Sequence, residues 1–157
     1  MSTYVSENVL TFEKITDSQS IEYWLNVFDV YFPRLQKSRD LYQNLSEKFG
    51  KYAEFYLAKE AGQVVGITVF YANDTKLGYG YISLFGVKEE YRRKGYGIKM
   101  MQFTEDVCKK KKMKFLRLEV SENNFQAQNF YKKIGFFQSG NGEGVLIMNK
   151  ALDNACL

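Results

Sequence analysis

Between Ile82 and Lys112 the chain spells strand, turn and helix in succession, with two glycines at the join. Ile82-Ser83-Leu84-Phe85-Gly86-Val87 is apolar and β-prone, and Lys88-Glu89-Glu90-Tyr91 is a charged turn. Arg92-Arg93-Lys94-Gly95-Tyr96-Gly97 then opens into Ile98 to Lys112, a stretch without Gly or Pro that reads as helix. A glycine-relaxed turn that feeds a helix leaves several backbone N–H groups unpaired and aimed at one point. Those donors and the positive end of the helix dipole suit a phosphate-type anion. Arg92, Arg93 and Lys94 add fixed positive charge beside it. The spacing is neither the Walker Gly-x4-Gly-Lys-Ser/Thr nor the dinucleotide Gly-x-Gly-x-x-Gly pattern.

A second block stands one helix later. Phe115-Leu116-Arg117-Leu118-Glu119-Val120 alternates as a strand, with Leu116, Leu118 and Val120 on one face and Glu119 on the other. Asn124-x-x-Ala127-x-x-Phe130-Tyr131 comes next, then Lys132-Lys133-Ile134-Gly135-Phe136. Arg92-x-x-Gly95-x-Gly97 resembles the acyl-CoA pyrophosphate loop of the GNAT superfamily of N-acetyltransferases, and the second block resembles that family's strand, Asn-x-x-Ala, aromatic-Tyr and Gly-Phe pattern. The resemblance covers roughly residues 64 to 150. The first 60 residues fit in outline without a comparable signature.

The resemblance implies an α/β (α+β) GNAT fold: a mixed, mostly antiparallel sheet with helices on both faces, in the order β-α-α-β-β-β-α-β-α-β-β. Val9 to Lys14 reads as the first strand. Thr16-Asp17-Ser18-Gln19 has the form of a capping box, opening a helix that Pro33 should end. A second helix is expected from Leu35 or Ser38 to Phe49, stopped by Gly50. Strands are expected at Tyr52 to Lys59, Gln63 to Tyr71, Tyr79 to Val87 and Phe115 to Val120. A short helix should run from Phe125 to Ile134, with strands after it at Phe136-Phe137 and Val145 to Asn149. The glycines and asparagines of Ser139 to Gly144 suggest a mobile lid.

Residues 1–157 are expected to form a single domain, large enough to bury about two-thirds of its unfolded surface. Thirteen Phe and twelve Tyr suit a sheet lined by wide pockets. With no histidine, zinc sites and His-based triads are out, and no metal is expected. Cys108 is expected in the core and Cys156 in the tail, with no disulfide framework. There is no signal-peptide pattern and no apolar run long enough to span a bilayer, so the expectation is a cytoplasmic protein with no membrane partner. The run Lys109 to Lys112 with Lys114 reads as a solvated helix end, and no nucleic-acid partner is expected. Homodimerisation stays open.

The function implied by the resemblance is transfer of an acetyl group from acetyl-CoA (coenzyme A) directly to a primary amine. The backbone of Phe85, Gly86 and Val87 would pair with the pantetheine amides. Arg92, Arg93, Lys94, Gly95, Tyr96, Gly97 and Ile98 would cradle the pyrophosphate, and Asn124 would reach the cofactor from the other side, or merely cap its helix. Tyr131 is the candidate general acid, since a phenol of pKa about 10 keeps its proton at neutral pH; the alternative is a core tyrosine. Glu119 is the candidate general base, at a spacing similar to that of ribosomal-protein N-terminal acetyltransferases; the alternative is an ion pair with Lys132 or Lys133. No carboxylate stands between Tyr79 and Val87. The acceptor is expected to be a small-molecule amine or a peptide N-terminus, whose pKa of about 7.8 makes less demand on a base than lysine's. The competing function is a non-catalytic acyl-CoA-binding regulator.

Overall fold

The computed structural model describes residues 9–32 and 39–152. They contain seven strands: β1 (Leu10–Lys14), β2 (Glu54–Glu60), β3 (Gln63–Tyr71), β4 (Tyr79–Val87), β5 (Phe115–Ser121), β6 (Phe137–Gly142) and β7 (Val145–Ala151). All lie in one sheet in the order β1-β2-β3-β4-β5-β7-β6, antiparallel throughout except for β4 beside β5. The α-helices are α1 (Ser18–Val27), α2 (Arg39–Tyr52), α3 (Tyr96–Lys110) and α4 (Phe125–Lys133). Among the described residues, no helix is long and apolar enough to cross a membrane.

Alternation along the strands divides the core in two. Ile21 and Leu25 of α1 and Phe49 of α2 pack on Phe55, Ile67 and Val69 of one sheet face. Met101 and Cys108 of α3 and Tyr131 of α4 pack on Phe70, Leu116 and Leu118 of the other. The expected arrangement of helices on both faces is thus present.

One irregularity shapes the site. Val69 pairs with Leu84 and Phe70 with Ile82, so Ser83 is an extra residue on β4. This bulge reverses the facing of the β4 residues beyond it. Ile82 packs with α3 and α4, while Leu84, two residues on, packs with α1 and α2.

Several boundaries differ from expectation. Asp17, rather than Thr16, caps α1, accepting from the Ser20 N–H at 2.9 Å. The helix ends at Val27 and passes into a 3-10 turn at Asp29–Tyr31, well before Pro33. Pro33, the start expected at Leu35 or Ser38, and Cys156 lie outside the described residues. Gly50 does not stop α2, which continues to Tyr52. A β-carbon at position 50 would stand 2.8 Å from the Thr16 carbonyl oxygen, so this glycine permits close approach of α2 to the β1–α1 connection. The expected lid is strand: β6 occupies Phe137–Gly142 and pairs with β7 through Gly142↔Val145.

Candidate active site

β4 and β5 pair from Tyr79↔Phe115 to Ile82↔Leu118 and no further. Past the bulge, β4 stays on β3 as far as Val87, which leaves the other edge of Phe85, Gly86 and Val87 without a strand partner. Two clefts open at this divergence. The first, about 400 Å³, has Phe85, Gly86 and Val87 on one wall and Asn124 and Tyr131 on the other. Arg92, Arg93 and the run Gly95 to Ile98 close its end. The second, about 730 Å³, lies between Phe32, Leu45 and Phe49 on one side and Leu84 and Glu119 on the other. Tyr31, Phe85, Asn124, Ala127 and Tyr131 belong to both clefts.

The end of the first cleft is built from backbone. Helix α3 begins at Tyr96, two residues earlier than expected, with Gly95 as its N-cap at φ +82 and no side-chain cap. Arg93 also has positive φ, +64. Such dihedrals disfavour a side chain, yet they turn successive N–H groups toward one concavity. The helical ladder opens with the Lys99 N–H on the Gly95 carbonyl at 3.3 Å. The amides of Arg93 to Ile98 have no acceptor among the described residues. Nothing within 4 Å would obstruct a β-carbon at Gly95, so only its dihedral demands glycine. At Gly97 the reason is space: a β-carbon there would lie 3.1 Å from Cζ of Phe130.

The charged side chains divide. Arg92 donates from Nε to the Val87 carbonyl at 3.0 Å and stacks on Tyr31. Lys94 does not line the cleft; its Nζ sits 5.8 Å from the centre of the Tyr91 ring. The Tyr96 side chain is buried and hydrogen-bonds Glu60, so this residue offers the cleft its backbone. Asn124 caps α4, its Oδ1 accepting from the Ala127 N–H at 3.1 Å.

Tyr131 stands between the clefts with its ring packed edge-on against Phe85, Phe130 and Phe136. Burial pushes its phenol above the ordinary value. Glu119 is exposed, between buried Leu118 and Val120 on β5, and lines the second cleft but not the first. The structure therefore brings Tyr131 and Glu119 to the same cleft from adjoining elements. Cys108 is buried, its thiol pushed up to about 12 mainly by that burial, with neighbouring Glu54 and Glu105 adding to the rise.

Residues 19–136 match the family model described as Acetyltransferase (GNAT) family. The chain belongs to the GNAT acetyltransferase family. Among its relatives is a spermine/spermidine N(1)-acetyltransferase of Bacillus subtilis (strain 168), 31% identical over 96 residues. That match takes in 55% of this chain and 63% of the relative's length, so the chain spans less than two-thirds of it. N-alpha-acetyltransferase 30 of Schizosaccharomyces pombe is 30% identical over 107 residues, 60% of this chain and 71% of that protein. The fold matches the crystal structure of a PaiA N-acetyltransferase from Thermoplasma acidophilum in complex with coenzyme A. The TM-score is 0.69 at 19% identity, covering 91% of this chain and 99% of the other.

This GNAT chain also places Tyr31, Tyr91, Gln126, Ala127 and Phe130 around the first cleft. Ala127 and Phe130 stood inside the second sequence block, where an aromatic one residue before Tyr131 was a visible signal. Tyr31 had none. It arrives at the site because α1 stops at Val27 and the 3-10 turn after it swings Tyr31 between the clefts.

Proposed function

We propose that the protein is an acetyl-CoA-dependent N-acetyltransferase that acts on a primary amine by direct transfer. The observation that carries this is the run of unpaired amides from Arg93 to Ile98, closing a cleft whose other wall is a strand edge without a strand partner. Convergent N–H donors at a helix start fit a diphosphate, and a free strand edge fits an extended chain of amides. Acetyl-CoA held there would supply an activated acyl carbon and a thiolate leaving group. Phe85, Gly86 and Val87 would pair with its pantetheine amides, with Asn124 facing them across the gap. Arg92 and Arg93 would add charge at the diphosphate, and Lys94, outside the cleft lining, would act from a distance.

Tyr131 gives its proton to the sulfur as the C–N bond forms and the C–S bond breaks, and regains it from solvent. Its raised pKa keeps the phenol protonated at neutral pH, so the proton is present when the leaving group needs it. Glu119 takes up the proton that the amine loses, directly or through water. Cys108, the one cysteine among the described residues, is buried and offers no thiolate to carry an acyl group. The test is thiol release from acetyl-CoA with a panel of amines and peptide termini. Turnover supports the proposal, whereas tight CoA binding with no turnover on any amine would make the protein a regulator.

A further inference from the structure

Tyr96 is the one residue between the two glycines of the loop, and its side chain turns away from the first cleft. It is buried, packed with Ala58 of β2, Val65 of β3 and Met100 of α3, with Tyr91 edge-on at 6.2 Å. Its phenol O–H donates to the Glu60 carboxylate. Glu60 is the last residue of β2, just before the Ala61-Gly62 turn, and lines neither cleft. Among the described residues, this is the only side-chain hydrogen bond made by the run Arg93 to Ile98.

The bond matters because the loop has little else to hold it. Glycines at 95 and 97 widen the choice of dihedrals, and the amides from Arg93 to Ile98 make no hydrogen bond of their own. Unpaired donors bind an anion well only when already aimed at it, since ordering them on binding subtracts from affinity. A phenol held by a carboxylate is a charge-assisted bond, stronger than a neutral one. It ties the first residue of α3 to the β2–β3 hairpin and so sets where the flanking amides point. By charge alone, a carboxylate behind an anion site works against it. Any benefit from Glu60 therefore comes through the hydrogen bond.

We propose that Glu60 is a positioning residue for the diphosphate loop, acting through the Tyr96 hydroxyl. This rests on the reading of the first cleft as a CoA site and deepens it.

CoA titration calorimetry and steady-state kinetics on the purified full chain test it. Glu60→Ala should weaken CoA binding by about tenfold, as loss of a hydrogen bond to a charged group implies. The acetyl-CoA KM should rise with it, while kcat at saturating acetyl-CoA and the amine KM hold. Removal of a repelling charge predicts the opposite sign, so unchanged or tighter CoA binding by Glu60→Ala overturns the proposal. Glu60→Gln removes the charge but keeps an acceptor, and should bind CoA nearly as wild type does. Affinity as low as that of Glu60→Ala would also overturn it. Tyr96→Phe keeps the buried ring and loses the donor. It should match Glu60→Ala, and the double variant should be no weaker than either single one; additive losses, or a lowered Tm with CoA affinity intact, would make the contact merely structural. The two readings fail separately. Weakened CoA binding in both variants without turnover on any amine would uphold the positioning role and sink the reaction, and no CoA binding by the wild type would sink both.

Discussion

The Arg92 guanidinium lies over the Tyr31 ring, 5.3 Å from its centroid, and so ties the loop of the first cleft to the turn that separates the two clefts. Its Nε is held by the Val87 carbonyl at 3.0 Å, and the Tyr31 hydroxyl accepts from the Glu89 N–H at 3.3 Å. Arg92 therefore orders the strand end and Tyr31 together, whatever it contributes to an anion.

Arg92→Ala should accordingly raise KM for both substrates, not for acetyl-CoA alone. Loss of an exposed charge-assisted hydrogen bond, at about 1.5 kcal/mol, corresponds to about tenfold. Arg92→Lys keeps the charge but loses the planar stack and the Nε donor. It should recover the acetyl-CoA KM in part and leave the amine KM high. Steady-state kinetics with each substrate varied in turn would show it, and an Arg92→Lys enzyme indistinguishable from wild type would mean that charge alone matters.

The two glycines of the loop should fail differently. Gly97→Ala sets a methyl 3.1 Å from Phe130, whose ring stacks on Phe85 at 6.2 Å, so the intrusion is passed to both walls of the first cleft. A weaker CoA affinity, by about tenfold, is expected with little change in Tm, since alanine's helix propensity offsets up to about 1 kcal/mol of crowding. Gly95→Ala meets no atom but must hold φ near +82, which costs about 1 kcal/mol or more and re-aims the amides. CoA titration calorimetry beside thermal melts distinguishes them: only Gly95→Ala should lower Tm and affinity together.

The loop and the second block were legible because their residues are dictated locally. Gly95 answers to one dihedral, and the alternation of β5 to one buried face. The bulge at Ser83 was not legible, because two-versus-one pairing is decided by β3 and leaves no mark in β4's own sequence. Gly50 misled for the same reason. Read along the chain it is a helix stop, and only the Thr16 carbonyl across the fold explains why α2 runs through it. The acceptor-side residues Tyr31 and Phe32 lie beyond α1, where pattern reading extended a helix that in fact gives way to a 3-10 turn.

Gly50→Ala should therefore destabilise the fold rather than stabilise the helix. The new methyl meets backbone oxygen at 2.8 Å, an overpacking cost of about 1–3 kcal/mol that exceeds the propensity gain of about 1 kcal/mol. Denaturant melts should show the loss, with kcat/KM unchanged well below Tm. A raised midpoint would mean that the contact relaxes freely.

Glu54 makes stability fall in acid. Its carboxylate bridges Lys14 at 2.8 Å and Lys111 at 3.0 Å, pinning the end of α3 to β1 and β2. Burial alone would raise its pKa, but the hydrogen bonds from Lys14 and Lys111 outweigh it and hold the group below the ordinary carboxylate range. A pKa lower in the folded than in the unfolded chain gives stability that is present above the unfolded value and lost as pH falls through the folded one. Glu54→Gln should cost about 1–3 kcal/mol at pH 7 and lose less on acidification below about pH 4.5 than the wild type. Parallel melting curves against pH for the two proteins would remove the assignment.

Tyr131→Phe isolates the proton. The phenylalanine ring keeps the edge-on contacts to Phe85, Phe130 and Phe136, so cofactor affinity and Tm should hold while kcat falls by about 10²–10⁴. The raised pKa adds a second signature. A phenol held above its ordinary value by burial does not ionise as pH climbs through 9, so the wild-type kcat should show no alkaline fall from this group. Any rise of rate with pH then reports the amine. Because the transfer to sulfur is uphill for so weak an acid, kcat of the wild type should also carry a solvent deuterium isotope effect that Tyr131→Phe loses. Equal kcat in the two proteins would return Tyr131 to the aromatic packing around it.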